Sequence, residues 1–147
     1  MQKFPIEFLS TAKATGVFET PWAIHSGSLQ AVCAIPSSFG GSGGGFSPED
    51  LFLQAAMNCF IGTFKVVAKL SKLSYSEVQV AGKLLVDRND QGKTMMKTIH
   101  LEISVSDADP AARLETIVAK TIRDGFILNS IKSEISYTLK SSPSSLS

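Results

Sequence analysis

The run GFSPEDLFLQAAMNCF, residues 45–60, holds the side chains best placed for chemistry in this chain. Cys59 carries a thiol, and Glu49 carries a carboxylate ten residues before it. A thiol becomes a nucleophile as its thiolate, which needs a nearby cation or a helix N-terminus. Cys59 falls about 12 positions into a predicted helix, beyond the reach of that helix's own N-terminus. Any activating cation must therefore come from elsewhere in space. The alternative reading of Cys59 is a small apolar side chain in a packed core. Glu49 also has two readings. It is a favourable charge in a first helical turn, or an acceptor that orients a cation beside the thiol. Helical rise separates Glu49 from Cys59 by about 15 Å along the axis. The two can share a pocket only through a bridging side chain or a partner subunit.

The remaining reactive residues form no constellation. Cys33 alternates with Leu29, Ala31 and Ile35 on one side of a predicted strand, so it should face a core. A disulfide to Cys59 is open on sequence grounds alone. His25 and His100 lack metal-ligand spacing, and no metal site or cofactor is expected. The segment SSFGGSGGGF, residues 37–46, is a glycine-rich loop expected to be mobile. It is not a phosphate-binding loop. No GK[ST] follows it, and Glu49 and Asp50 would repel phosphate at the next helix start. Lys65 and Lys69, four residues apart, suit the C-terminal end of that helix.

These residues must be positioned by a chain of 147 residues, enough for one domain, 1–147, with its own core. With 44% apolar and 18% charged residues the composition is not that of a disordered chain. A net charge of +1 and the lack of aromatic–basic interleaving point away from nucleic acid. Two scattered cysteines fit a reducing compartment. MQKFPIEFLS has no signal-peptide apolar core, and the longest uncharged apolar stretch, 51–64, is short for a bilayer. A soluble, cytoplasmic protein with no membrane partner is expected.

Strands are predicted over 3–9, 15–18 and 29–35, with a turn or loop between the last two. Ser47 is a good N-cap and Pro48 a good first residue for a helix over 48–70, with Asp50 completing a capping-box variant. Apolar residues cover more than one face of that helix. It should be buried on most sides, which one chain can hardly achieve and a dimer can. Strands over 77–86, with a bulge at Gly82, and 97–105 should form an antiparallel hairpin across the turn at 89–92. A second helix over 110–124, capped by Asp109 and stopped at Gly125, carries the stripe Leu114, Ile117, Val118, Thr121 and Ile122. A strand over 134–139 and a disordered tail, 141–147, end the chain. The order implies an α+β fold of helices on antiparallel sheet.

With these elements in place, GGGFSPEDLFLQAAMNCFIGTF at 43–64, the strand pair at 77–105 and NSIK at 129–132 resemble the OsmC/Ohr family. These are the osmotically inducible and organic-hydroperoxide-resistance proteins. The resemblance implies an OsmC-like fold, with sheets around a long central helix in an intertwined homodimer. It implies an organic hydroperoxide substrate and an external dithiol reductant. Cys59 matches the family's peroxide-reacting cysteine, and Glu49 matches the glutamate that holds an activating arginine. The arginine has no counterpart, because none precedes Arg88. The family's resolving Cys-Pro pair aligns with Gly125-Phe126, and no cysteine follows Cys59. Two functions follow. One is a stress-associated, thiol-dependent organic hydroperoxide reductase working through Cys59, with an external thiol as resolver. The other is a non-catalytic dimer of the same fold that binds an apolar small molecule or serves structurally.

Overall fold

The computed structural model describes residues 3–143. The chain forms two compact units, one within residues 1–52 and one within 53–147, and the boundary falls inside the first long helix.

In the first unit, β1 (Thr11–Lys13), β2 (Trp22–Ser26) and β3 (Leu29–Cys33) form an antiparallel sheet in that order. Residues 3–9 are not a strand: they join no strand ladder, and Phe4, Phe8 and Leu9 are exposed. Residues 15–18 run into a turn closed by Thr20 N–H on the Val17 carbonyl. The strand lies instead at Trp22–Ser26, where a loop was expected. Gly27, at φ +60°, and Ser28 make the two-residue turn between β2 and β3, a hairpin signal present in the sequence.

The glycine-rich segment is held against β3 and is not a free loop. Phe46 N–H donates to the Val32 carbonyl at 2.8 Å, and Gly43 N–H donates to the Ile35 carbonyl at 3.1 Å. Ser37–Phe39 forms a single 3-10 turn. A Cβ on Gly45 would lie 2.8 Å from the Val32 oxygen, so the glycine there is required by close backbone approach. The helix start has the reciprocal bonds expected of its cap. Asp50 N–H donates to Ser47 Oγ and Ser47 N–H donates to Asp50 Oδ2, both at 3.0 Å. Among the described residues of this unit only Cys33, Ala34 and Ser47 are buried.

The helix α1 (Pro48–Leu70) has the predicted bounds and continues into the second unit. There β4 (Glu77–Arg88), β5 (Thr94–Ser106) and β6 (Glu134–Ser142) form a sheet. The β4–β5 hairpin is antiparallel, but β6 lies parallel to β5, so the sheet is mixed rather than antiparallel. The reason is the connection, which crosses over through α2 (Leu114–Asp124) and returns in the same direction. The second helix is shorter than 110–124. A 3-10 turn, Ala111–Arg113, precedes it, and neither start carries a side-chain cap. Asp109 instead pairs its backbone with Ser74. Gly82 makes no bulge. It pairs in register with Leu101, and the irregularity falls at Leu85/Val86. A Cβ on Gly82 would stand 2.9 Å from both Leu53 Cδ1 and Met57 Sδ, so the glycine lets α1 settle on β4. Ser141 and Ser142 complete β6, and residues 144–147 of the expected disordered tail lie outside the described residues.

The core of this unit joins Ile99, Leu101, Ile103 and Val105 of β5 to Leu114, Ile117 and Val118 of α2 and Phe60 and Phe64 of α1. Within one chain α1 is buried along one stripe, Ala56, Phe60, Phe64, Val67 and Ala68, and not on most sides. Val66 and Leu70 are 58% and 79% exposed. α1 is 23 residues long and its most apolar part has a mean hydropathy of 1.5, so by length and composition alone it could span a membrane, contrary to the count of its uncharged residues. Its buried stripe packs into the core of the second unit.

Two substitutions separate cap from loop packing. Ser47→Ala should lower the unfolding free energy in urea by about 1 kcal/mol. Gly45→Ala should lower it by about 1–3 kcal/mol, because the added methyl meets backbone. A Gly45→Ala protein as stable as the parent would show that the loop is not packed on β3.

Candidate functional site

Cys59 lies on the half-buried flank of α1, one residue from the Phe60–Phe64 stripe that anchors the helix. Its neighbour across the unit is Gly125, the buried residue that ends α2. Gly125 N–H donates to the Thr121 carbonyl at 3.0 Å, closing the last helical turn. A Cβ built on Gly125 would stand 3.0 Å from Cys59 Sγ, with Leu128 Cδ1 and the Thr121 oxygen each at 3.2 Å. About 3 Å is also the separation of a Cβ from the far sulfur in a disulfide. Gly125 has φ −59°, which any residue adopts. Position 125, where the family resemblance puts the resolving cysteine, therefore faces Cys59, and it offers only a hydrogen.

Cys59 Sγ makes no hydrogen bond among the described residues. Glu49 is half-buried in the first turn of α1. Its side chain makes neither a hydrogen bond nor an ion pair among the described residues, and Asp50 is the carboxylate used by the cap. Cys33 is 3% exposed at the end of β3, where it bridges Phe46, and both cysteines are free. His25 is exposed on β2 between Thr11 and Gln30. His100 lies on the polar side of β5, as its alternation predicts, with Nδ1 2.7 Å from Ser136 Oγ on β6. Among the described residues no three His, Cys, Asp or Glu side chains cluster as metal ligands would. Leu128, 4% exposed against the Gly125 backbone, is a wall of the site that no sequence signal marked.

Asp124 adjoins this corner. Hydrogen bonds from Arg123 and then Lys120 hold its carboxyl at about 2, below the ordinary 3.8. Arg123 Nε lies 3.0 Å and Lys120 Nζ 3.1 Å from its oxygens.

The sequence profile of the OsmC-like protein family matches residues 41–140. An organic hydroperoxide resistance protein of Xanthomonas axonopodis pathovar citri is 31% identical over 134 residues, 90% of this chain and 92% of that one. An OsmC-like protein of unknown function from Vibrio cholerae superposes with a TM-score of 0.83 at 15% identity, covering 92% of this chain and 99% of that one. A second Vibrio cholerae structure, of an organic hydroperoxide resistance protein with captopril bound in one of its active sites, superposes at 0.71 with 21% identity, covering 95% of each chain.

The geometry at position 125 is directly testable. Gly125→Cys should form a disulfide with Cys59 on mild oxidation, read by peptide mass mapping and abolished by Cys59→Ser. Failure of the folded variant to crosslink would contradict the placement of the two residues. For Asp124, a carboxyl lowered in the folded state stabilises above its ordinary value and loses that contribution as pH falls through about 2. Carbon-detected NMR should give a midpoint near that value, and Arg123→Ala should move it up toward 3.8.

Proposed function

Because the chain belongs to the OsmC-like family, we propose that it works as a homodimer that holds an apolar small molecule beside Cys59 and does not complete a two-thiol peroxidase cycle. The observation that carries this reading is the Cys59–Gly125 approach. In such a cycle the Cys59 thiolate attacks the O–O bond, becomes a sulfenic acid and releases the alcohol. A second thiol then displaces water to form a disulfide. The position facing Cys59 Sγ is a glycine and supplies no such thiol. The other cysteine, Cys33, is buried in β3. No arginine precedes Arg88, so the cation that the family sets against the thiolate is missing from the N-terminal strands.

Assembly as a dimer is supported by apolar side chains left open in one chain, among them Phe8 at 89%, Leu29 at 74% and Phe126 at 70% exposure. A second copy would cover this kind of surface. The Glu49 side chain, without a hydrogen bond or ion pair among the described residues, is available to a cation of the second copy. The captopril-bound relative supports a site that accepts a small organic molecule. Two free thiols suit a reducing cytoplasm.

The 31% identity to an organic hydroperoxide resistance protein and the partial exposure of Cys59 favour a second reading. In it Cys59 is a single peroxidatic cysteine, and an external thiol attacks its sulfenic acid, releasing water and leaving a mixed disulfide.

Steady-state consumption of cumene hydroperoxide with dithiothreitol distinguishes the two. Consumption by the wild type should equal that of Cys59→Ser, both proteins should bind an apolar fluorescent probe, and both should sediment as dimers. Multiple turnovers lost in Cys59→Ser would overturn the binding reading and establish the single-cysteine peroxidase.

A further inference from the structure

We propose that a cavity between the end of α1 and the start of α2 binds a phosphate-type oxyanion. The cavity measures about 240 Å³ and is lined by Ser71, Ala112, Arg113, Thr116, Ile117 and Lys120. It lies wholly in the second unit, apart from the Cys59 corner at the other end of α2. Two cations and two hydroxyls line it, and no carboxylate does.

Residues 113, 116, 117 and 120 recur at the spacing of one helical face, so their side chains rise from a common side. A merely solvated face usually sets a carboxylate three or four residues from a cation. Here the residues at those distances after Arg113 are Thr116 and Ile117, and Asp109, four residues before it, pairs its backbone with Ser74 and forms no ion pair with Arg113. Arg113 makes no ion pair among the described residues. Lys120 does meet Asp124, at 3.1 Å, but Arg123 engages the same carboxylate at 3.0 Å. One negative charge is thus divided between two cations, and Lys120 keeps further N–H donors to spend. The hydroxyls of Ser71 and Thr116 make no hydrogen bond among the described residues.

The unmet needs of this cavity are negative charge and several acceptor oxygens on one small body. A guanidinium presents paired donors that match phosphate or sulfate oxygens, and an ammonium with two hydroxyls supplies the rest. A carboxylate would use only part of that donor set. The volume is several times the ~30 Å³ of a water in the liquid, which leaves room for a short carbon body attached to the anion. The shared chemistry is the tetrahedral oxyanion, either free or as the head of a phosphate monoester. Because the site is open to solvent, its affinity must fall as ionic strength rises.

Calorimetric titration of the full chain with inorganic phosphate, and separately with glycerol phosphate, at constant ionic strength tests this. One anion should bind per chain. Arg113→Gln should weaken binding at least about tenfold, the loss expected for a charge-assisted hydrogen bond. Thr116→Val should weaken it by a smaller factor. Arg88→Gln, which removes the same charge from the far end of the β4–β5 hairpin, should bind as the parent does. Circular dichroism verifies that each variant is folded. Tighter binding of glycerol phosphate assigns the site to phosphorylated small molecules, and equal binding assigns it to the free ion. Absence of saturable binding at millimolar phosphate overturns the proposal. Equal losses in Arg113→Gln and Arg88→Gln also overturn it, because they would mark general surface charge.

Discussion

The burial of one stripe of α1 is the constraint on which the second unit depends. Phe60 and Phe64 are fully buried and stack at 5.6 Å between ring centroids, and Tyr75 meets Phe64 edge-on at 5.1 Å. Each phenylalanine contributes on the order of 1.5–3 kcal/mol by leaving water. Their packing sets the rotation of the helix about its axis. Once Phe60 points into the core, Cys59, one residue back and about 100° around, must lie on the flank of the buried stripe. The thiol is half-buried because its neighbour is anchored.

The same rotation explains two glycines far apart in sequence. Gly82 admits Leu53 and Met57 against β4, and Gly125 admits Cys59 against the end of α2. Both are places where the helix comes too close for a side chain on the facing element. A glycine at 125 thus serves packing, and it also leaves no thiol at a position whose Cβ would reach Cys59. Chemistry and packing are coupled at this atom. A second thiol there would sit where the approach is tightest, at the length of a disulfide. The two ends of α2, about 16 Å apart by helical rise, then carry different chemistry. Gly125 closes the Cys59 corner at one end, and Arg113 opens a cationic cavity at the other.

Much of this was legible in the sequence where local rules act alone. The Ser47–Pro48–Asp50 start of α1, its end near Leu70 and the alternation of Ile99, Leu101, Ile103 and Val105 depend on side chains within a few residues of one another. What was illegible depended on partners distant in the chain. Residues 3–9 have strand-like composition but find no ladder, while Trp22–Ser26 becomes a strand through Leu29–Cys33 beside it. The direction of β6 is set by the crossover before it and not by its own residues. Gly82 suggests a bulge when the strand is read alone, whereas its cause is a helix that begins some thirty residues earlier. Cys59 and Glu49 could be named from the motif as candidates. The facing of Gly125 to Cys59 rested on resemblance until coordinates gave it a distance, and Leu128 had no signal because a buried leucine in a short connector looks like any other.

The first unit raises the remaining physical question. Its three strands bury Cys33 and Ala34 but leave Leu29 and Val32 exposed on the same β3. A small sheet needs an apolar face covered to be stable. The proposed second copy offers such a cover, and the cost of leaving it off is not small. At about 25 cal/mol per Å² of apolar surface removed from water, about 300 Å² contributes about 7.5 kcal/mol, comparable to the backbone ordering of a five-residue strand. Under that assembly the open flank of α1 and the exposed Phe126 beside Gly125 would lie in the same category of surface, apolar and uncovered in one chain. Each methylene covered there gains about 0.8 kcal/mol by leaving water, which is what a second copy would supply.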